Sequence, residues 1–319
     1  MEAEARRGSA RAIEWRRAFH LRSGALWDLV RQQTVWSTRC DERCDVVETA
    51  GGTAWARFWN RGRGWKALIL AVGYLVLYEA AGFLMTPFLG SIGGPDTVSY
   101  LLVLFTVPIF LGCLILVGFG ASVGWLRQLF ARDTHGGRWW MWIAVAVVLI
   151  FNILRFATID YSATTAAWVL TWLLTGLFIG FAEEVLTRGY VVRIMREANH
   201  SEVAVALVSA ALFALLHSIN LFTGQALGPT LIQLVYTFFF GICMYLALRV
   251  TGTIIAPILL HASTDPSIFI QSTYPAPGPL SAVASLGNIV VIVVGIILLV
   301  VFLVTRGAKK RGLTPAAQL

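Results

Sequence analysis

Residues 168–180 read WVLTWLLTGLFIG, a run without a charged side chain, and FAEEVLTRGYVVR follows at 181–193. Spanning the hydrocarbon core of a bilayer takes about 20 apolar residues, so the first run and its flanks predict a transmembrane helix. The second run places two adjacent carboxylates, Glu183 and Glu184, in that helix, with Arg188 one turn later. Ionisable groups are costly at membrane depth, so this stretch indicates both the fold class and where function lies.

The composition of the whole chain agrees with a membrane protein. Of 319 residues, 57% are hydrophobic and 13% are charged, whereas soluble domains carry about 25% charged residues. We therefore predict an all-α, polytopic membrane helix bundle with eight transmembrane helices. The predicted spans are 66–88, 99–124, 139–155, 164–188, 202–221, 228–248, 253–271 and 286–305.

Basic side chains alternate from loop to loop. They precede the first span and follow the second, fourth, sixth and eighth, whereas the other loops carry only Arg155. By the positive-inside rule both termini are cytoplasmic. The net charge of +8 then belongs to cytoplasmic loops, so we expect the lipid bilayer as a partner and no nucleic acid.

The same pattern predicts three parts of the chain. Residues 1–65 form a basic cytosolic extension without an apolar span, residues 66–305 the transmembrane domain, and residues 306–319 a basic cytosolic tail. We expect a multi-pass protein of the plasma membrane.

Few ionisable side chains lie within the predicted spans, and each is a candidate functional residue. They are Glu79, Glu183, Glu184, Arg188, His217, His261 and Asp265. Glu184 and Arg188 are four residues apart, which favours an ion pair on one helix face. Glu183 projects about 100° away from Glu184 and is left to face elsewhere. Glu79 has no partner in the sequence pattern, and we expect it to make a helix-packing hydrogen bond.

The spacing of Glu183 and His217 places them at similar depth. Each is 17 residues from His200, at the predicted turn between two antiparallel helices, and so about 25 Å along its helix. We expect them to share a water molecule. His261 and Asp265 are four residues apart, so Asp265 is expected to orient His261 or to face the same pocket.

This set of side chains favours hydrolysis. A carboxylate beside an imidazole can deprotonate water, and a second histidine can stabilise an oxyanion. The chain has no G-x-S-x-G elbow, H-E-x-x-H zinc motif or P-loop, which disfavours serine hydrolases, zincins and P-loop nucleotidases.

Three short segments resemble the ordered motifs EExxxR, FxxxH and HxxxN/D of one family. They are EEVLTR (183–188), FALLH (213–217) and HASTD (261–265). The family is the CPBP intramembrane endopeptidases (CAAX proteases, bacteriocin-processing proteins, Abi), and the chain is similar to type II CAAX prenyl endopeptidases over roughly 160–275.

The resemblance implies a role for each matching residue. Glu183 and His217 would activate the attacking water, and His261 with Asp265 would form the oxyanion site or orient it. Glu184 and Arg188 would support the helix, and Phe213 would line the cavity. Prenyl endopeptidases typically have asparagine at the position of Asp265, whose carboxylate donates no hydrogen bond unless it is protonated.

The predicted function is therefore an intramembrane endopeptidase that cleaves membrane-associated peptides or proteins, prenylated or leader-bearing, with its active site accessible from the cytoplasm. A glutamic mechanism without a cofactor is favoured, and zinc held by Glu183, His217 and His261 stays open. The alternatives are a cation or proton carrier that uses the same cluster, and a non-catalytic immunity or scaffold protein.

Overall fold

The computed structural model describes residues 52–94 and 97–310, except for the side chains of 89–91 and 306–310. The chain divides into two units, Met1–Arg57 and Phe58–Leu319. Most of the predicted N-terminal extension and the end of the tail lie outside the described residues, and those boundaries stay predictions. Regular structure within the described ranges is helical, without a β-strand, which confirms the predicted all-α fold.

Eleven helices occur in the described residues, several of them with short 3-10 or π segments included. They are α1 (Ala54–Trp59), α2 (Trp65–Phe88), α3 (Val98–Val123), α4 (Leu126–Leu129), α5 (Trp139–Ala157), α6 (Ala166–Glu197), α7 (Glu202–Leu221), α8 (Leu227–Thr251), α9 (Ile255–Thr273), α10 (Pro279–Ser285) and α11 (Gly287–Lys310).

Seven of the described helices are long and apolar enough to cross a membrane, namely α2, α3, α5, α6, α7, α8 and α11. The predicted span at 253–271 is also a helix, α9, which has 19 residues. It falls outside the seven because polar side chains, His261 and Asp265 among them, and two prolines lower its hydropathy. The count of eight spans and the orientation of the termini therefore stay predictions.

Large apolar side chains cover the outer surface of the bundle. Leu170 is 64% exposed, Ile232 69% and Val304 65%. Such exposure suits contact with lipid tails, which are as apolar as these side chains. The protein is therefore a polytopic membrane protein.

Helices α6 and α9 pack closely because α6 presents two glycines, Gly176 and Gly180, one turn apart. A Cβ atom at Gly180 would lie 2.6 Å from the backbone nitrogen of Ala262 and 2.6 Å from the carbonyl oxygen of Ile258, and one at Gly176 would overlap Pro266. Small residues at this spacing allow two membrane helices to approach until their backbones touch. This contact brings the middle of α9 against the carboxylates of α6.

The regular α-helical part of α6 ends at Glu184, and a π-helical segment, Val185–Val191, follows it. Such segments are rare and frequently occur at functional sites. Neighbouring helices hold this one, because Ser209 of α7 donates a hydrogen bond of 2.9 Å to the carbonyl of Thr187. The segment carries Arg188, and its position next to α7 and α8 decides where that guanidinium lies.

Candidate functional site

The imidazole of His261 lies between two glutamates that are adjacent in sequence. Its Nδ1 is 2.9 Å from Oε1 of Glu184, and its Nε2 is 3.7 Å from Oε2 of Glu183. The two side chains leave α6 in different directions, as their helical spacing requires. The FAEEVLTR segment of α6 therefore places one carboxylate near each nitrogen of the His261 imidazole on α9.

Buried contacts occupy the Nδ1 side of the His261 imidazole, where Glu184 lies. Nη1 of Arg188 is 3.1 Å from Oε1 of Glu184, and neither side chain has any exposed surface. Nη1 also donates to Thr187 Oγ1 at 2.6 Å, and Nη2 donates to the carbonyl of Gly241 at 2.8 Å. A buried carboxylate held by a guanidinium is an acceptor, so His261 Nδ1 donates to Glu184.

Two buried aromatic rings fix the plane of the His261 imidazole. The ring centroids of Phe213 and Phe240 lie 5.6 Å and 5.0 Å from that of His261, both in edge-to-face geometry. Phe213 also lies under the guanidinium of Arg188, 4.6 Å from its Cζ. With Nδ1 bonded and the ring packed, Nε2 is the atom of His261 left for chemistry.

The Nε2 side of the ring is open. Oε2 of Glu183 lies 3.7 Å away and Oδ2 of Asp265 lies 3.9 Å away, and both distances are too long for a hydrogen bond. The Glu183 and Asp265 side chains are 20% and 26% exposed, whereas that of Glu184 is fully buried. A water or a substrate atom between these groups would satisfy all three.

Comparison with known families finds one match. Residues 164–266, about a third of the chain, match the family model described as type II CAAX prenyl endopeptidase Rce1-like. The chain carries an Rce1-like region. The match confirms the family predicted from the three motifs, all of which lie inside it. No curated protein and no solved structure shows a significant match to the chain.

The Rce1-like match supports a CAAX-type intramembrane endopeptidase in general terms, with the bilayer and a peptide substrate as its partners. Several apolar helices and this family together fit a multi-pass membrane protein.

His217 of the Rce1-like region lies where the α-helical part of α7 gives way to a 3-10 turn. Its Nδ1 is 3.0 Å from the carbonyl oxygen of Phe213, and its ring packs edge-on against that of Phe213 at 5.1 Å. Nδ1 therefore donates within its own helix and leaves Nε2 for another partner. Glu183 approaches His261 and makes no hydrogen bond or ion pair with His217, so a water shared between Glu183 and His217 stays a prediction.

The structure corrects the expected partner of His261. We predicted that Asp265 orients this ring or faces the same pocket. The 3.9 Å gap to Asp265 is too long for an orienting hydrogen bond, and Glu184 makes that bond at 2.9 Å. The i,i+4 spacing puts Asp265 on the same face of α9 as His261, but too far from its Nε2 for a hydrogen bond. The sequence feature that could have predicted the contact between Glu184 and His261 is the pair of glycines, Gly176 and Gly180, which bring α9 against α6.

Glu79 lies outside this cluster. It is partly buried on α2 and makes no hydrogen bond or ion pair with any described residue, so the expected helix-packing bond is not found. The Glu184–Arg188 contact, by contrast, has the partners that the spacing predicted.

The zinc alternative required Glu183, His217 and His261 to converge. No group of three or more His, Cys, Asp or Glu side chains arranged to hold a metal ion occurs in the part of the chain that the structure describes. The only carboxylates within 4 Å of His261 Nε2 are Glu183 and Asp265 among these residues.

Proposed function

We propose that this protein is an intramembrane endopeptidase of the glutamic type, acting on membrane-associated substrates that are prenylated or carry a leader. One observation supports it most strongly: His261 is locked at Nδ1 and turns Nε2 towards two partly exposed carboxylates. This arrangement suits a site that binds water and a peptide carbonyl between Glu183, His261 and Asp265.

In the proposed reaction, Glu183 accepts a proton from the water molecule, with the Nε2 of His217 as a second polar contact. The oxygen of the water attacks the peptide carbonyl carbon, and the carbonyl oxygen becomes an oxyanion. A protonated His261 donates from Nε2 to that oxygen, because Nδ1 is already committed to Glu184. Collapse breaks the C–N bond, and Glu183 returns its proton to the leaving amine.

Asp265 has a different role in this proposal from the asparagine of prenyl endopeptidases. An ionised carboxylate donates no hydrogen bond, so it does not contact the oxyanion. At 3.9 Å from Nε2 of His261, its charge favours the protonated imidazole that the oxyanion needs.

The loop charges support access to the site from the cytoplasm and a location in the plasma membrane, as part of the same proposal. Basic residues at the ends of α3, α6 and α8 mark the cytoplasmic end of the bundle under this proposal.

The test is cleavage by the purified protein in detergent or vesicles. The panel contains a peptide with an S-prenylated cysteine followed by three residues, the same peptide without the prenyl group, and a leader-type membrane peptide. We expect cleavage of at least one, and its loss in Glu183→Gln and in His217→Ala. Glu79→Gln is the matched control, a glutamate in another membrane helix that should retain the rate.

Cleavage that survives both Glu183→Gln and His217→Ala would overturn the mechanism. Uptake of a metal ion into liposomes, with no cleavage of any peptide, would favour the carrier instead.

A further inference from the structure

A cavity separate from the His261 cluster lies between α4, the second half of α6 and the residues around the turn from α8 to α9. Its volume is about 330 Å³, within the size range of small-molecule sites. Part of the lining is apolar, from Trp125, Leu129, Leu248 and Ile254. The loop 131–135 supplies polar side chains, so the cavity has both an apolar and a polar part.

Four arginines line this cavity, and one of them has no partner. Three are in ion pairs of 2.8 to 3.2 Å, namely Arg188 with Glu184, Arg193 with Glu197 and Arg196 with Asp133. The fourth, Arg132, is exposed and makes no hydrogen bond or ion pair with any residue in the ranges 52–94 and 97–310. All five donors of its guanidinium are therefore available.

The stem of Arg132 is held in place although its charged group is unpaired. A Cβ atom at Gly252 would lie 3.5 Å from Cγ of Arg132, and the next residue in the loop, Asp133, donates a backbone hydrogen bond of 2.9 Å to the carbonyl of Gly252. Thr134 also lines the cavity, and its hydroxyl is exposed and has no described partner. The mouth thus presents a cation and a hydroxyl to a ligand, and the carboxylates of the lining are already neutralised by contact with arginines.

Exposed aromatic side chains place this cavity near the surface of the membrane. Phe130 is 49% exposed next to the lining residues of the loop, and Trp139 and Trp142 at the start of α5 are 72% and 51% exposed. Aromatic rings of this kind are enriched at the headgroup level of a bilayer. A ligand of this cavity can therefore be part of the membrane itself.

We propose that this cavity binds the phosphate of an anionic phospholipid headgroup. A guanidinium fork matches phosphate oxygens, and basic pockets between membrane helices bind lipid headgroups. The apolar part of the lining suits the glycerol and the first carbons of the acyl chains. The inference goes beyond the proposed function and does not depend on it, because neither Glu183 nor His261 lines the cavity.

The cavity and the candidate site share one element of the fold. Residues 188–190 of the π-helical segment line the cavity. Arg188 of that segment holds Glu184, which accepts the hydrogen bond from His261. A bound headgroup would therefore restrain the segment that positions Glu184.

The test measures binding through the unfolding temperature of the full-length protein in a neutral detergent at constant ionic strength. Phosphatidylglycerol, phosphatidylcholine or inorganic phosphate is added in separate titrations. We expect saturating phosphatidylglycerol to raise the unfolding temperature by about 2–4 °C, and the other two to leave it near its starting value.

Arg132→Gln should raise the concentration of phosphatidylglycerol at half-effect about 10-fold, since one charge-assisted contact is lost. Arg132→Lys keeps the charge without the fork and should lose less. Arg127→Gln is the matched control, because Arg127 is an exposed arginine on the adjacent helix α4 and does not line the cavity. Both arginines lack a described ion-pair partner, so the lipid-free variants should unfold like wild type.

Hydrogen exchange locates the bound lipid. The backbone amides of the loop 131–135 should exchange more slowly with phosphatidylglycerol than with phosphatidylcholine, and Arg132→Gln should remove that difference.

An equal effect of phosphatidylcholine would overturn the proposal, and so would equal weakening by Arg132→Gln and Arg127→Gln, which would indicate adhesion to surface charge alone. An equal effect of inorganic phosphate would overturn the lipid as the source of the phosphate. None of these measurements uses cleavage, so a failure of the proposed function would leave their results unchanged.

Discussion

Two clusters of acidic and basic side chains use the same residue types with different geometry. At the end of the bundle where α6 meets α7, Glu202 binds Arg196 at 2.9 Å and Arg249 at 2.7 Å, and Asp133 binds Arg196 at 3.2 Å. We call this the basic-end network. At the candidate site the open nitrogen of His261 is 3.7 Å from Glu183 and 3.9 Å from Asp265.

The difference in contact distances distinguishes ion pairs that only stabilise the fold from a site that can bind a ligand. The groups of the basic-end network are in direct contact at 2.7 to 3.2 Å, so they hold helix ends and one loop together. The open side of His261 has charges that are close and make no direct hydrogen bond with Nε2, an arrangement that a bridging water or a carbonyl oxygen would complete. Only the Glu184–Arg188 side of His261 resembles the basic-end network.

The largest effect is expected from Glu184→Gln. Glu184 forms a buried ion pair with Arg188 and also accepts a hydrogen bond from His261 of the candidate site. The change leaves Arg188 buried without its counterion and replaces the charged acceptor of His261 Nδ1 with a neutral amide oxygen, which is a weaker acceptor. Breaking a buried pair on one side costs about 3–5 kcal/mol, and cleavage should fall by at least about 100-fold. Unfolding and specific activity of the folded fraction measure the two losses.

Glu197→Gln is the control for that change. Its pair with Arg193 is 2.8 Å long and its side chain is 29% exposed, so it should cost at most about 1 kcal/mol. Equal losses from Glu184→Gln and Glu197→Gln would contradict a special role for Glu184.

The next effect tests the helix contact that assembles the site. Gly180→Leu would force α9 away from α6, because a Cβ at Gly180 already lies 2.6 Å from the backbone of α9. Cleavage should fall by about 10-fold or more through displacement of His261. Gly118→Leu, on α3 where no atom lies within 4 Å of the added Cβ, should retain the wild-type rate.

A smaller effect is expected at Asp265. Asp265→Asn restores the residue typical of prenyl endopeptidases and can donate a hydrogen bond, so kcat/KM should stay within about 10-fold of wild type. Asp265→Leu removes both the charge and the polar atom, and should lose more. If the asparagine variant is as inactive as the leucine variant, the negative charge itself is required, and the hydrogen bond that asparagine can donate does not replace it.

Local patterns in the sequence predict a large part of this molecule. Apolar runs indicate the spanning helices because the bilayer acts on every residue of a run. The i,i+4 spacing predicts the pair of Glu184 and Arg188 because both residues are on one helix. The three family motifs predict which residues belong to the candidate site, and the match over 164–266 supports the resemblance to that family.

Contacts between helices were harder to predict. The bond between Glu184 and His261 depends on how closely α6 and α9 approach, which rests on Gly176 and Gly180 and not on either polar residue. The predicted span 139–155 ends at Arg155, whereas the helix continues to Ala157, because the end of a helix is the least certain part of a prediction. The π-helical segment after Glu184 has no sequence signal that we recognise.

The smallest effect is expected in the basic-end network, at Asp133. Burial tends to raise the pKa of this carboxyl, but the backbone amide of His135 and the charge of Arg196 outweigh it, and the pKa is lowered. Its contribution to stability is therefore present above the ordinary aspartate pKa of about 3.9. It is lost as the pH falls through the lowered value.

Asp133→Asn should lower the unfolding temperature by about 2–4 °C at pH 7. The difference from wild type should shrink as the pH falls through the lowered pKa of the wild-type carboxyl. A difference that grows as the pH falls would contradict the ion pair. Cleavage by the folded fraction at pH 7 should be unchanged.

The most direct test of the contrast between the two clusters is a matched pair of substitutions, Glu183→Gln and Glu202→Gln, measured for both cleavage rate and unfolding temperature. We predict that Glu183→Gln loses cleavage by about 100-fold or more with an unfolding temperature close to that of wild type. Glu202→Gln should unfold at a lower temperature and cleave normally while it is folded. The opposite result, normal cleavage by Glu183→Gln or a specific loss of cleavage by folded Glu202→Gln, would contradict the assignment of the open cluster as the active site.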